Sequence, residues 1–186
     1  INPDNPTGNF IDYDGIIKIL EEFKLSKKIL VLDESFLDFA DNGFNSSVIK
    51  KSVLKKFSNL IVIKSIGKSF GIGGLRLGVL ASSNKELITK IKKDISIWNI
   101  NSVSEFYLQI ISKYYDEYIE ACEKLKYSRK ILMEGLEEIE YIQPYPSQAN
   151  YIFCKLINKD SRELAIKLCN EYAILIKDCS SKESIN

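Results

Sequence analysis

Between Asp12 and Phe23 apolar residues recur at helical spacing, with Ile16, Ile17, Ile19, Leu20 and Phe23 on one broad face. Asp12 or Asp14 is available to cap the start, so an amphipathic helix is predicted. Short uninterrupted apolar runs follow. Lys28–Asp33 ends in a carboxylate, Asn59–Ser65 ends in a hydroxyl, and Leu77–Ala81 is a third. Such runs suit strands buried on both faces of a sheet. From Ser102 the spacing returns to three and four, and Val103, Phe106, Tyr107, Ile110, Ile111, Tyr114, Tyr118, Ile119, Cys122 and Leu125 predict one long helix. The pattern allows it to continue, with a kink, through Leu136 and Ile139. Pro144 and Pro146 break it, after which Ala149–Leu156 reads as a strand. Ser161 then caps a helix to about Tyr172, and Ala173–Lys177 reads as a further strand. Strands alternating with helices of this length indicate an α/β fold, in which ligands bind beyond the carboxyl ends of the strands. Asp33 and Ser65 are expected at that edge.

Composition narrows the partners. The 186 residues, 45% apolar, suffice for one ordinary domain or a large piece of a two-domain protein. With 26 basic and 25 acidic residues the net charge is +1, so no broad field attracts nucleic acid or an anionic membrane, and a small-molecule partner is expected. No stretch approaches the ~20 apolar residues of a membrane span, and the protein is expected to be soluble and cytoplasmic. Cys122, Cys154, Cys169 and Cys179 form no C-x-x-C pair and are read as ordinary buried or half-buried thiols. The chain has no histidine, which removes Ser-His-Asp and Cys-His nucleophile systems and histidine metal sites together. Chemistry here falls to Lys, Asp, Tyr, Arg or a cofactor. No metal site is expected: Glu34, Asp38 and Asp41 are interleaved with Phe36, Leu37 and Phe39 and read as a solvated loop. The opening stretch, Asn2-Pro3-Asp4-Asn5-Pro6-Thr7-Gly8, reads as the middle of a site, so the chain is expected to be a piece of a longer protein.

The segment from Ser65 to Gly78 is rich in glycine, yet it fits neither common phosphate motif. A P-loop would need glycine at Val62, and a dinucleotide fingerprint starting at Gly71 would need it at Arg76. What remains is a lysine, Lys68, with serine three residues before it and arginine eight after it, in a turn that follows a buried strand. Taken singly, a lysine in a glycine-rich turn is a surface residue and an aspartate at a strand end is a turn residue. Their joint spacing is what departs from that reading.

Together, Asn2–Gly8, Leu32-Asp33-Glu34 and Ser65/Lys68/Arg76 resemble fold-type I pyridoxal 5′-phosphate (PLP) enzymes, the class I and II aminotransferases, over nearly the whole chain. Within that family, Asp33–Phe39, Gly74–Gly78 and Ser147–Tyr151 look most like histidinol-phosphate aminotransferases and threonine-phosphate decarboxylases. The resemblance implies an α/β PLP-dependent transferase fold: a mostly parallel sheet in the large domain (1–100), a long interdomain helix (101–125) and part of a smaller C-terminal α/β domain (126–186). It implies that Asn5 hydrogen-bonds the cofactor's phenolic oxygen, Asp33 pairs with the pyridine nitrogen, Lys68 forms the Schiff base, and Ser65 with Arg76 holds the phosphate. A homodimer is implied as well. One departure is Phe36, where aminotransferases commonly carry a tyrosine whose hydroxyl assists Asn5; another is Gly67, where many relatives place serine. Lys177 stands where close relatives often have arginine. The phosphate loop and ring-stacking residue are expected before Ile1, and the substrate-carboxylate arginine beyond the chain's last residues.

The function implied is transfer of an amino group between a small phosphorylated amino compound, such as histidinol phosphate, and a 2-oxo acid. A phosphorylated-amino-acid decarboxylase on the same scaffold is the alternative. A non-catalytic PLP-binding sensor domain of a transcription regulator is a third reading, from a different functional class.

Overall fold

Why the first helix begins where it does is visible at Asp12, whose carboxylate accepts from the Gly15 amide at 2.8 Å and caps α1 (Tyr13–Leu25). In the computed structural model, which describes residues 1–181, α1 buries Ile16 and Leu20. Beneath them lies a sheet of β1 (Leu30–Asp33), β2 (Leu60–Ser65) and β3 (Gly78–Ala81), in that order. β1 runs parallel to β2, Leu30 opposite Leu60, whereas β3 runs antiparallel to β2, Ser65 opposite Gly78. The expected mostly parallel sheet is therefore one parallel and one antiparallel pair among the described residues. The second pairing arises because the glycine-rich connection between β2 and β3 folds back on itself, the Ile66 amide meeting the Leu77 carbonyl, instead of crossing over the sheet as a helix.

Leu32, Leu60 and Val62 pack under Ile16 and Leu20, together with Val48, Val53 and Phe57. Val48 precedes α3 (Lys51–Lys56), and Phe57 caps its end. Alternate strand residues point the other way, and Val31, Ile63 and Val79 are exposed. Burial on both faces, expected from the unbroken apolar runs, holds for one face of this chain.

The stretch between β1 and β2 is not a solvated loop. A 3₁₀ turn, Leu37–Phe39, and a short helix, α2 (Gly43–Ser46), fold back over the sheet edge, and Glu34 and Asp38 are 1% and 4% exposed. Only Asp41 of the three acids is at the surface. Carboxylates buried in this way require partners, and the partners are given below.

After β2 comes one helical turn, α4 (Ile66–Ser69), then β3 and α5 (Lys85–Asp94). The helix expected from Ser102 is broken earlier than its pattern indicated. α6 (Ser102–Ile110) gives way to a 3₁₀ segment, Ile111–Tyr114, and α7 (Tyr115–Glu137) then runs without interruption through Leu125 and Leu136. α7 packs on β4 (Ile142–Pro144), which pairs antiparallel with β5 (Cys154–Leu156). Most of the expected Ala149–Leu156 strand is irregular. α8 (Ser161–Tyr172) is capped by Asp160, one residue before the Ser161 cap read from sequence. Residues 173–177 form no strand: Ala173 takes φ +54°, a left-handed cap, and the residues after it find no ladder partner among those described. Of the thiols, Cys122 is buried, Cys154 and Cys179 half-buried, and Cys169 exposed, contrary to its expected burial.

Candidate active site

The carboxyl ends of β1 and β2 gather the residues singled out by spacing. Asp33 is the last residue of β1, and one of its carboxylate oxygens accepts from the Ser35 amide at 2.8 Å. The Ser35 hydroxyl in turn accepts from the Ser65 amide at 2.8 Å, which stitches the two strand ends together beyond the regular ladder. The Asn2–Gly8 loop docks at the same place, since the Asn2 amide donates to the Asp33 carbonyl at 2.9 Å. Asn2 closes that loop by exchanging two side-chain hydrogen bonds of 2.8 Å with the backbone of Ile11.

Ser65, Lys68 and Arg76 belong to one hairpin. The Ile66 amide donates to the Leu77 carbonyl at 3.1 Å, which brings the two sides of the glycine-rich connection together. Gly67 matters for closeness: a Cβ there would stand 3.2 Å from the Gly73 Cα and 3.3 Å from the Ile72 carbonyl, so serine would crowd the turn. Gly71 holds φ +67°. Arg76 is itself left-handed, φ +58°, and its guanidinium donates back to the Gly73 carbonyl at 3.2 Å. The hydroxyl, the amine and the guanidinium thus share one short segment.

Two lysines flank Ser65, and their surroundings differ. Lys64 lies 2.5 Å from the Asp38 carboxylate, whose other oxygen accepts from the Tyr118 hydroxyl at 2.6 Å. Tyr118 comes from α7 and stacks on Phe70 at 3.8 Å. Its hydroxyl is pushed far above the usual phenol range by burial and by donation to Asp38, so it remains a donor. Glu34 accepts from the Val48 amide at 2.8 Å and the Ser47 hydroxyl at 2.7 Å; burial raises its pKa, against the lowering effect of these donors and of Lys64. Lys68 makes no ion pair among the described residues. Its Nζ rests 3.8 Å above the ring of Phe36.

From Phe36 the contacts lead to Asn5. The Phe36 ring meets that of Tyr151 edge-on, centroids 5.2 Å apart. The Tyr151 hydroxyl donates to the Asp4 carbonyl at 2.6 Å, and the Asn5 side chain lies beside it. Burial, with the Asp4 charge adding to it, pushes that phenol up to about 12, while Asn5 acts in the opposite sense. Asn5 and Tyr151 also line a cleft of about 640 Å³ that extends to Lys159 and Lys177. Tyr151 entered the sequence reading only within the Ser147–Tyr151 likeness and the expected Ala149–Leu156 strand, neither of which marks it as lying near Asn5. Tyr118 was hidden by its apolar spacing on a helix, and Asp38 by the aromatic residues around it. The aromatic residues were themselves the missed signal: an acid flanked by Leu37 and Phe39 is drawn inward with them.

Among the described residues no cluster of three or more acids or thiols could hold a metal ion. The donor set does suit an aromatic aldehyde bearing a phosphate and a ring nitrogen. An unpaired primary amine, a carboxylate, a hydroxyl and a guanidinium meet these groups in kind.

Comparison with known proteins gives the same direction. The model of the family "Aminotransferase class I and II" matches residues 1–184. The chain is 32% identical to the L-serine phosphate decarboxylase of Campylobacter jejuni, over 98% of this chain and 47% of that protein. It is also 32% identical to the histidinol-phosphate aminotransferase of Ruminiclostridium cellulolyticum, over 97% of this chain and 47% of that one. The solved structure of a decarboxylase from Sulfurospirillum multivorans superposes with a TM-score of 0.86 at 28% identity, covering 100% of this chain and 48% of that one. The chain therefore spans about half the length of these relatives.

Proposed function

Because this chain belongs to the class I and II aminotransferase family, we propose that it forms the PLP-binding part of an enzyme that transfers an amino group between a small phosphorylated amino compound and a 2-oxo acid. The observation behind this reading is that Lys68, in the helical turn α4 that follows β2, makes no ion pair among the described residues while Lys64, four residues earlier, is engaged by Asp38. When bound, the cofactor supplies an electron sink for the pair left as a bond at the substrate α-carbon breaks. Asp33 would sit against the pyridine nitrogen and keep it protonated. Ser65, Arg76 and the amides of the glycine turn would hold the phosphate, and Asn5 would donate to the phenolic oxygen. Lys68, as a free amine, would carry a proton to and from the substrate α-carbon on its Nζ. In this reading residues 1–100 belong to the large domain, 101–125 to the connecting helix and 126–186 to the small domain of a cytoplasmic homodimer.

A second reading, decarboxylation of a phosphorylated amino acid, is favoured by Phe36 and supported by the likeness to the Campylobacter jejuni and Sulfurospirillum multivorans proteins. Both readings use Asp33 and Lys68. In the intact protein loaded with PLP, borohydride should fix the cofactor on Lys68, and peptide mapping that found it on Lys64 would overturn the assignment. Amino transfer from histidinol phosphate to 2-oxoglutarate, without CO2 release from L-serine phosphate or L-threonine phosphate, is the expected outcome. The reverse pattern would establish the decarboxylase, and bound PLP with neither activity the sensor.

A further inference from the structure

Ser35 stands between the residues that end β1 and β2, and it meets each with a different group. Its amide donates to the Asp33 carboxylate at 2.8 Å, and its hydroxyl oxygen accepts from the Ser65 amide at 2.8 Å. The residue is 3% exposed, so water competes little for either bond. Ser65 occupies the N-cap position of α4, where a serine ordinarily turns its hydroxyl onto an amide of the first helical turn. Here it makes no such bond. Its backbone is extended, φ −77° and ψ 119°, and is held on both sides: its own amide by Ser35, and the next amide, that of Ile66, by the Leu77 carbonyl at 3.1 Å. The Ser65 hydroxyl is therefore not spent on the helix it precedes.

We propose that Ser35 is a positioning residue of the cofactor site, its hydroxyl holding Ser65 so that the Ser65 side chain is presented to the cofactor's phosphate instead of to α4. Its amide fixes the Asp33 carboxylate at the same time, so one residue sets the groups for both ends of the cofactor, the ring nitrogen and the phosphate. The two actions are separable. Replacing the hydroxyl by hydrogen removes the acceptor of the Ser65 amide and leaves the bond to Asp33, which comes from the backbone, in place. Ser65 is then released to turn its oxygen onto the amides of α4, the ordinary cap. The inference rests on the reading of the residues around Lys68 as the site that takes PLP.

The test titrates the intact protein with PLP and, separately, with pyridoxal, which has the same ring and aldehyde without the phosphate. Borohydride labelling of the PLP-loaded protein comes first and judges the functional reading by itself; a label away from Lys68 removes that reading and this inference with it. With the label on Lys68, Ser35→Ala should raise the dissociation constant of PLP about tenfold, the scale of one hydrogen bond to a charged group, and leave that of pyridoxal within about twofold. A general loosening of the fold weakens both ligands alike, so the ratio of the two constants reports on the phosphate end. Ser65→Ala should lower the preference for PLP in the same way. Ser35→Ala added to it should change the ratio no further, because the effect passes through Ser65. An unchanged ratio in Ser35→Ala, whether both ligands weaken or neither does, or a further fall in the Ser65→Ala background, would overturn the proposal.

Discussion

Glu34 stands next to Asp33 in sequence but in different surroundings. It is 1% exposed, accepts two hydrogen bonds, and has its pKa raised by burial. Raised pKa in the folded state means that the folded protein holds the proton more tightly than the unfolded chain. The stability associated with this group is fully present below pH 4.5 and is lost as pH rises through its folded-state value. Glu34→Gln, which keeps the shape and cannot ionise, should therefore gain stability relative to the parent between pH 4 and pH 7, any deficit at pH 4 narrowing as the parent's carboxyl ionises. Thermal unfolding of both proteins at the two pH values checks this, and a deficit that widens at pH 7 would contradict it. Individual residues divide sharply in how far the sequence exposed them. Asn5, Asp33, Ser65, Lys68 and Arg76 were singled out through the family resemblance that their motifs carry, and the structure sets Asp33 at the end of β1, Ser65 at the end of β2 and Lys68 and Arg76 in the turn that follows. Glu34, Asp38 and Tyr151 depend on what folds over them, which no local pattern records.

At the scale of elements, Asp38 ties three pieces together: its own 3₁₀ turn, β2 through Lys64, and α7 through Tyr118. Removing it in Asp38→Ala leaves a lysine whose side chain is 19% exposed without its partner. Loss of one member of a buried pair costs about 3–5 kcal/mol, and chemical denaturation should show a loss near the lower end because Lys64 reaches some water. Asp38→Leu combined with Lys64→Met should recover much of that loss. A single variant within about 0.5 kcal/mol of the parent, the usual range for a plain surface substitution, would show that the tie is idle. The strands of the first sheet were legible because apolar runs mark them directly. The break at Ile111–Tyr114 was not, since a 3₁₀ segment keeps nearly the same three-residue spacing as the helix it interrupts. The absent strand at 173–177 is a different case: apolar β-branched residues invite a strand, but a strand exists only where a neighbour supplies the ladder.

Across the whole molecule, contacts from the second half of the chain return repeatedly to the first. The Ser104 hydroxyl donates to the Leu75 carbonyl at 2.8 Å, the Arg129 guanidinium to the Phe39 carbonyl at 2.6 Å, and the Gln148 amide to the Gly8 carbonyl at 2.9 Å. At Gly8 the approach is so close that a Cβ would fall 2.1 Å from the Ser147 hydroxyl. The α/β class was readable from sequence because it follows from alternation; these returns were not, because they join residues that share no period. All of them, with the Tyr118–Asp38 and Tyr151–Asp4 bonds, span the stretch between α5 and α6, where Ile97 and Trp98 are each 89% exposed. The consequence is separability. The returning contacts join the two parts on both sides of the exposed Ile97–Trp98 stretch, so a cut there leaves those contacts intact and the chain is suited to being split there. Residues 1–97 and 98–186, co-expressed as two polypeptides with a tag on one, should copurify and reconstitute the fold by complementation, and Gly8→Val on the first piece should abolish their association.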